Sequence, residues 1–162
     1  MIKKQIIDIL EQDSRTTSKE IATMLNISVE EVETNIKQME ADKVIVKYTA
    51  IVNKEKVSGS VQGVEAFIEV QVKPERDKGF DSIAERLYSF PEVKSLYLMS
   101  GGYDLLVVIQ GANLNDIASF VYQKLATLEN VKSTRTHFLL KKYKENGITF
   151  EKTEIERLAI TL

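Results

Sequence analysis

The chain of 162 residues contains no cysteine and no tryptophan, and it has only two prolines. Without cysteine it can form neither a disulfide framework nor a thiolate metal site, which fits a reducing compartment. No apolar run is long enough to span a bilayer, and the amino terminus lacks the apolar core of a signal sequence. We therefore expect a cytoplasmic protein with no metal site, no cofactor and no membrane partner.

An excess of positive charge is missing as well. The formal net charge is −2, and residues 1–60 carry nine basic against ten acidic side chains. Proteins that bind nucleic acids usually present a basic footprint, so composition alone gives no support to such a partner. Any contact with DNA must be argued from local patterns.

Patterns typical of catalysis are absent too. The chain has no phosphate-binding Gly-x-x-x-x-Gly-Lys loop, no His-Glu-x-x-His zinc motif and no Gly-x-Ser-x-Gly nucleophile elbow. The only histidine, His137, falls within the alternation of a predicted strand, which favours a structural or interface role. We therefore predict that the protein is not an enzyme.

Two capped helices are the clearest positive feature of the first forty residues. Residues 17–20 and 28–31 both predict capping boxes, in which a hydroxyl accepts from a backbone amide and a glutamate reaches back. Asn26 tolerates left-handed geometry and indicates the turn between the helices. With a preceding helix, these signals predict a three-helix unit that ends in a helix-turn-helix. Apolar residues at helical spacing form its expected core: Ile2, Ile6, Ile9, Leu10, Ile21, Met24, Leu25, Val29, Val32, Ile36 and Met39.

The chain changes character after residue 42. Residues 44–52 predict one or two short strands, and the polar stretch that follows, with Ser58-Gly59-Ser60, favours a linker. We predict four segments: a winged helix-turn-helix domain over residues 1–52, a linker over 53–63, a second domain over 64–143 and a tail over 144–162 that has the spacing of an extra strand.

Beyond the linker the apolar pattern switches between strand and helix periods. The predicted order is strand, helix, strand, strand, helix, strand, which is the split βαβ or ferredoxin-like βαββαβ motif. Phe90-Pro91 closes the first helix, Asn113 caps the second, and residues 101–104 form the central hairpin. The fold class is therefore α+β, with a winged helix-turn-helix followed by a ferredoxin-like domain.

The central strands of this second domain are apolar on both faces. Apolar side chains occupy consecutive positions in residues 96–99 and 105–109. Since both helices of this motif cover one face of the sheet, the other face would be an exposed apolar patch in a monomer. We expect a second sheet to pack there in a two-fold homodimer. The alternative is that the wing or the tail of the same chain covers this face.

Several short segments share their order and spacing with a known family. They are Asp13-Ser14-Arg15, Ile27-Ser28, Tyr48-Thr49-Ala50, Phe90-Pro91-Glu92-Val93, Gly101-Gly102-Tyr103-Asp104-Leu105-Leu106 and residues 131–136. Together with the helix-turn-helix and the βαββαβ module, they make residues 2–143 resemble the Lrp/AsnC transcription regulators. The resemblance implies a regulator whose second module binds small effectors, usually amino acids, between subunits. It also implies homodimers that assemble further, for example into a tetramer or octamer.

The resemblance implies that the third helix contacts double-stranded DNA. The candidate DNA-binding residues are Ser28, Glu30, Thr34, Lys37, Gln38, Lys43 and Lys47. Many relatives have arginines in this helix, whereas residues 28–42 here carry five acidic side chains and one lysine, a net charge of −4. Because like charge opposes phosphate binding, we predict weak, salt-sensitive binding per dimer that gains strength from several sites on one DNA. The alternative is that the helix-turn-helix is only a packing or dimerisation unit.

The resemblance also implies an effector site at the glycine hairpin. The candidate effector-binding residues are Ser100, Gly101, Gly102, Asp104, Thr134 and Thr136. An amino-acid zwitterion needs amides or hydroxyls for its carboxylate and a carboxylate such as Asp104 for its ammonium group. The plain structural explanation of the two glycines is that a hairpin requires positive φ there.

We therefore interpret the chain as a sequence-specific DNA-binding transcription regulator that senses a small effector, expected to be an amino acid, at subunit interfaces. The alternative function is a regulatory or oligomerisation protein that binds an amino acid but not DNA.

Overall fold

The computed structural model describes residues 1–57, 63–74 and 79–150. The chain separates into two compact units, Met1–Val52 and a second unit that starts at Asn53. Each unit has its own cluster of buried apolar side chains. None of the helices in the described ranges is both long enough and apolar enough to cross a membrane.

Three helices form the first unit, as predicted. They are α1 (Ile2–Gln12), α2 (Ser18–Leu25) and α3 (Val29–Ala41). The fully buried centre of their core consists of Ile6, Ile21, Val32 and Met39. Two predicted core residues are exposed instead, Met24 by 65% and Val29 by 40%. Because Ile21, Ala22 and Leu25 form the inward arc of the short helix α2, Met24 falls outside that arc.

The capping predictions are confirmed at α2 and half confirmed at α3. The Thr17 hydroxyl accepts from the Glu20 amide at 3.3 Å, and Glu20 accepts from the Thr17 amide at 2.8 Å. Asn26 ends the helix with φ of 55°, in the left-handed region. The Ser28 hydroxyl accepts from the Glu31 amide at 3.1 Å, but the described contacts include no return bond from Glu31. The prediction of a second complete capping box was therefore wrong.

The strand prediction for residues 44–52 was also wrong. This segment follows α3 without regular structure, and its apolar side chains Val44, Val46 and Val52 are more than half exposed. A strand needs a neighbouring backbone to complete its hydrogen bonds, and no element of the described chain pairs with this segment. The β-type composition of residues 44–52 is therefore insufficient to form a strand here.

The second unit contains the predicted βαββαβ order. Its elements are β1 (Val64–Val72), α4 (Asp81–Tyr88), β2 (Val93–Leu98), β3 (Leu105–Gly111), α5 (Leu114–Phe120) with a π-helical extension (Val121–Leu125), and β4 (Val131–Phe138). The strands form one antiparallel sheet in the order β2-β3-β1-β4. This arrangement confirms the predicted α+β class.

Alternate residues of β1 face the two helices. Ala66, Ile68, Val70 and Val72 are buried among α4 and α5 side chains, so both helices cover one face of the sheet. We call the opposite face the open face. Strand pairing places both apolar and polar side chains on this face: Phe67, Tyr97, Leu106 and Val108 are apolar, and Glu69, Gln71, Ser133, Arg135 and His137 are polar. The open face is therefore apolar only in part.

The residues between and after the two domains are described in part. Of the predicted linker, Lys54–Lys56 form a short 3-10 helix, and residues 58–62 lie outside the described ranges. In the tail, β5 (Lys144–Glu145) and β6 (Ile148–Thr149) pair as a separate hairpin rather than extending the four-stranded sheet. Its turn residues Asn146 and Gly147 have φ of 45° and 82°, which is the type I′ pattern. The tail from residue 151 onward lies outside the described part.

Candidate functional site

The outward face of α3 carries the predicted DNA contacts. Glu30, Thr34, Lys37 and Gln38 are all exposed, so the structure brings them to one accessible surface. Ser28 stands at the N-cap, where its hydroxyl is engaged with the Glu31 amide. This placement allows α3 to approach a groove with its first turn and its outer side chains.

Several polar groups around α3 already bind within the chain. The Gln38 side-chain amide donates to the Asp42 carboxylate at 2.9 Å, and the Tyr48 hydroxyl donates to the Glu40 carboxylate at 3.0 Å. Burial, followed by the hydrogen bond and charge of Glu40, raises the pKa of Tyr48 above its usual value. Thr34 and Lys37 make no side-chain bond to any residue in the described ranges. The side chains of Glu30, Lys43 and Lys47 are likewise unengaged in the described ranges, so Thr34 and Lys37 are two of five predicted DNA contacts that are free to bind.

The two lysines after α3 are exposed on irregular backbone. Lys43 has φ of 58°, a left-handed conformation that glycine would adopt more easily. It directly follows the α3 cap, and the Val44 amide closes the turn on the Met39 carbonyl at 2.8 Å. Lys47 lies in the segment without regular structure. Both lysines add positive charge next to a helix whose own charge is negative.

The predicted effector residues of the hairpin lie in one loop, residues 99–104, between β2 and β3. The Met99 amide donates to the Asp104 carbonyl at 2.8 Å and closes the loop. The Asp104 amide donates to the Val70 carbonyl at 3.1 Å, and its carboxylate oxygen Oδ2 accepts from the Val72 amide at 2.8 Å. Asp104 thus fastens the loop to the end of β1, beside the register shift at Gln71 and Val72.

A second attachment of the loop comes from residues that the sequence analysis did not identify. The Gln71 side-chain amide donates to the Gly102 carbonyl at 2.8 Å. The Ser133 hydroxyl donates to the other end of the Gln71 amide, at 2.8 Å. We call this chain of contacts, Ser133–Gln71–Gly102, the glutamine relay. No local pattern could have revealed it, because its three residues belong to separate parts of the sequence.

The described part of the chain gives no structural explanation for the two glycines of the loop. Neither Gly101 nor Gly102 is among the glycines with positive φ, so the expected reason for their presence was wrong. A Cβ atom added to either would meet no heavy atom of the described residues within 4 Å. The fold therefore requires glycine at neither position, and both leave open space over the loop.

Thr134 and Thr136 lie apart from the loop. They pair with Val70 and Ile68, so they share the helix-covered face of the sheet. Strand β1 separates β4 from β3, which corresponds to about 10 Å between the two strands. The β4 residue that contacts the glutamine relay is Ser133 on the open face, whose hydroxyl bonds to the Gln71 side chain.

Comparisons with known proteins give these two sites a family context. The profile of the Lrp/AsnC ligand binding domain matches residues 65–149, and a winged helix-turn-helix DNA-binding profile matches residues 2–46. The fold and both profiles define a DNA-binding transcription regulator with a ligand-binding domain. The chain belongs to the Lrp/AsnC family, as its sequence motifs predicted.

Relatives support the same assignment over most of the chain. The uncharacterized HTH-type transcriptional regulator YugG of Bacillus subtilis is 52% identical over 91% of this chain and 88% of its own length. The crystal structure of the transcriptional regulator NMB0573 of Neisseria meningitidis with L-Met has a TM-score of 0.70 at 25% identity, over 89% of this chain and 91% of that one. The leucine response regulatory protein LrpA of Mycobacterium tuberculosis has a TM-score of 0.71 at 27% identity, over 90% and 94%. These proteins are regulators rather than enzymes, which confirms the prediction made from the sequence.

Proposed function

We propose that this regulator binds an amino acid at the loop of residues 99–104 and reads a specific DNA sequence with α3. The observation that carries the effector proposal is the pair Gly101 and Gly102. They stand next to open space, and the fold does not require glycine at either position. Glycines without a packing or conformational role are expected where another molecule must approach the backbone closely.

The chemistry around the loop suits a zwitterion. The amides of Ser100, Gly101, Gly102 and Tyr103 donate no hydrogen bond within the described ranges, so they are available to a carboxylate. Asp104 uses Oδ2 for the Val72 amide, which leaves Oδ1 for an ammonium group. The L-Met complex of the Neisseria regulator supports an amino acid as the ligand class.

We further propose that two subunits pack through their open faces as a homodimer, which assembles into a tetramer or octamer. Phe67, Leu106 and Val108 supply the apolar centre of that face. Thr134 and Thr136 then contribute to an effector site only where a second subunit brings its β4 edge towards the loop, because within one subunit they face the helices. We also propose that the two domains span residues 1–52 and 64–143, and that residues 53–63 are the linker between them.

The charge of α3 sets the character of DNA binding. Residues 28–42 have a net charge of −4, and the structure shows no return bond from Glu31 to the cap that would draw its charge away from the surface. Phosphate contacts dominate affinity, so one pair of such helices binds weakly and is displaced by salt. Linked helices in an assembly bind the same duplex together and reach useful affinity through effective concentration.

The test of the effector site is the variant Gly102→Ala. Calorimetry with the common L-amino acids identifies the ligand of the wild type, and the variant is expected to bind it about tenfold more weakly because a methyl group occupies the approach. Its thermal unfolding should match the wild type, since the added Cβ meets nothing within 4 Å. Gly111→Ala is the control in the opposite sense. Its Cβ would lie 2.8 Å from the Cβ of Asp116, so it should lose stability.

Two results would contradict the proposal. If the wild type binds none of the common amino acids at millimolar concentration, the ligand class is wrong. If an amino acid binds equally well to Gly102→Ala, the site lies elsewhere in the molecule.

A further inference from the structure

The glutamine relay determines how one peptide group of the effector loop is oriented. The Gly102 carbonyl accepts from the Gln71 side chain at 2.8 Å, and Ser133 fixes the other end of that side chain at 2.8 Å. A side-chain amide whose carbonyl and NH2 groups are both engaged cannot flip without losing both contacts. The Gly102 carbonyl is thus held towards the end of β1.

The orientation of this carbonyl fixes the amide that follows it. The peptide bond between Gly102 and Tyr103 is trans, since the described ranges contain no cis peptide. In a trans peptide the C=O and the following N–H point in opposite directions. The Tyr103 N–H is therefore directed away from Gln71, on the side of the loop that the relay leaves free.

The Tyr103 N–H has no acceptor in the part of the chain that the structure describes. The adjacent Gly102 has no side chain, and a Cβ there would face open space, so the route to this N–H is unobstructed. A fixed and accessible backbone donor of this kind suits the carboxylate of a ligand. Because its direction is set in advance, binding requires little reorganisation of the loop.

We propose that Gln71, supported by Ser133, is a positioning residue of the effector site: it orients the Gly102–Tyr103 peptide so that the Tyr103 N–H donates to the ligand carboxylate. This inference rests on the proposed amino-acid site. Gln71 touches the loop and not the ligand, so it acts only through the peptide that it holds. Its contribution to the folding of a single chain is small because both relay contacts are solvent-exposed there.

Three variants separate the parts of the relay. Gln71→Met keeps the length of the side chain but removes both contacts. Gln71→Glu keeps an acceptor for Ser133 and places a carboxylate against the Gly102 carbonyl. Ser133→Ala leaves the Gln71 amide able to reach Gly102 but frees its other end. The matched control is Gln110→Met, which makes the same change on the open face near the far end of β1, opposite Glu65.

The measurements are calorimetry with the amino acid that binds the wild type and two-dimensional NMR of the loop amides. We expect affinity to fall about twofold to tenfold in Gln71→Met, the loss expected from one weakened hydrogen bond. Gln71→Glu should lose the most affinity, Ser133→Ala less, and Gln110→Met none. In the ligand-free protein, the Gly102 and Tyr103 amide signals should shift in both Gln71 variants. In the wild type, the Tyr103 signal should shift on titration with the amino acid and not with its carboxamide analogue.

The outcomes distinguish this inference from the proposal beneath it. If the wild type binds no common amino acid, both fail together. If it binds one, and Gln71→Met retains full affinity with unchanged loop signals, the positioning role is overturned while the effector site stands. A loss of affinity in Gln71→Met that is equalled in Gln110→Met would also overturn it, because the effect would then belong to the sheet as a whole.

Discussion

The outer face of α3 and the loop of residues 99–104 expose opposite kinds of chemical group. On α3 the exposed groups are side chains, including the four acidic ones of Glu30, Glu31, Glu33 and Glu40. Ser28 and Gln38 are already engaged with their own helix and its cap. In the loop, the Gly102 carbonyl and the Asp104 carboxylate accept hydrogen bonds within the chain, whereas the backbone amides of residues 100–103 donate none to the residues that the structure describes. The first surface depends on charge, and the second depends on the orientation of peptide groups.

This difference predicts how the two surfaces respond to their surroundings. The proposed contacts between α3 and phosphates would exchange with counterions, so they should weaken as salt is added. Hydrogen bonds from fixed amides to a carboxylate keep their geometry in salt, although long-range attraction is screened. Effector binding should therefore tolerate an ionic strength at which DNA binding by a single dimer is lost.

The largest effect is expected at Asp104, which serves both the fold and the proposed site. Asp104→Ala leaves the Val72 amide without its acceptor at the irregular end of β1, which should lower the free energy of unfolding by about 1–3 kcal/mol. Asp104→Asn retains an oxygen for that amide, so its stability should stay close to the wild type. Both variants lose the negative charge that we propose for the ammonium group of the effector, so both should bind the amino acid weakly. Urea unfolding and calorimetry measure the two effects.

The Asp104 pair tests whether loop geometry and ligand charge can be separated. Equal stability of the alanine and asparagine variants would show that the bond to Val72 contributes nothing to folding. Full effector affinity in Asp104→Asn would show that the carboxylate does not contact the ligand.

A smaller effect is expected from single charges on α3. Lys37→Gln should weaken DNA binding on any sequence and reduce the slope of log affinity against log salt by about 1, because one phosphate contact is lost. Glu30→Gln should change affinity in the opposite direction by removing one repulsive charge. Fluorescence anisotropy with promoter DNA at several salt concentrations measures both variants.

The control for these charge variants is the affinity of the loop for the amino acid. Neither variant should change amino-acid affinity, since both residues belong to the first unit and the proposed effector site lies in the second. If Lys37→Gln leaves both the affinity and the salt slope unchanged, α3 does not face the phosphates.

Local signals predicted the helices and the sheet well. The Thr17 box, the left-handed Asn26 and the alternation of β1 depend on neighbours a few residues away, so the sequence alone identifies them. The strand predicted over residues 44–52 failed because pairing depends on a backbone that no local pattern supplies. The hairpin at Asn146 and Gly147 was missed although that dipeptide is a strong type I′ signal.

The candidate sites were predictable only in part. The Gly101–Asp104 motif located the loop, but nothing local indicates that Gln71 reaches Gly102 across the sheet. Likewise, the strand register places Ser133 and Thr134 on opposite faces of the sheet. It therefore decides that Ser133, and not Thr134, bonds to Gln71. Long-range register determines these contacts, and composition around each residue does not.

The smallest effect is expected in the acid dependence of helix protection, when the caps of α2 and α3 are compared. Hydrogen bonds from Thr17 lower the pKa of Glu20, so its carboxylate stabilises the folded state above the unfolded pKa of about 4.3. That stabilisation is lost as the pH falls through the lower, folded-state pKa. In Glu20→Gln, the protection of α2 amides against hydrogen exchange should therefore depend less on pH in the acid range than in the wild type.

Glu31→Gln is the matched control, because Glu31 makes no return bond to its cap. It should leave the acid dependence unchanged while strengthening DNA binding slightly, since an exposed negative charge is removed from α3. If instead Glu31→Gln flattens the acid dependence as much as Glu20→Gln does, Glu31 completes its capping box in solution and its charge is less available to repel DNA.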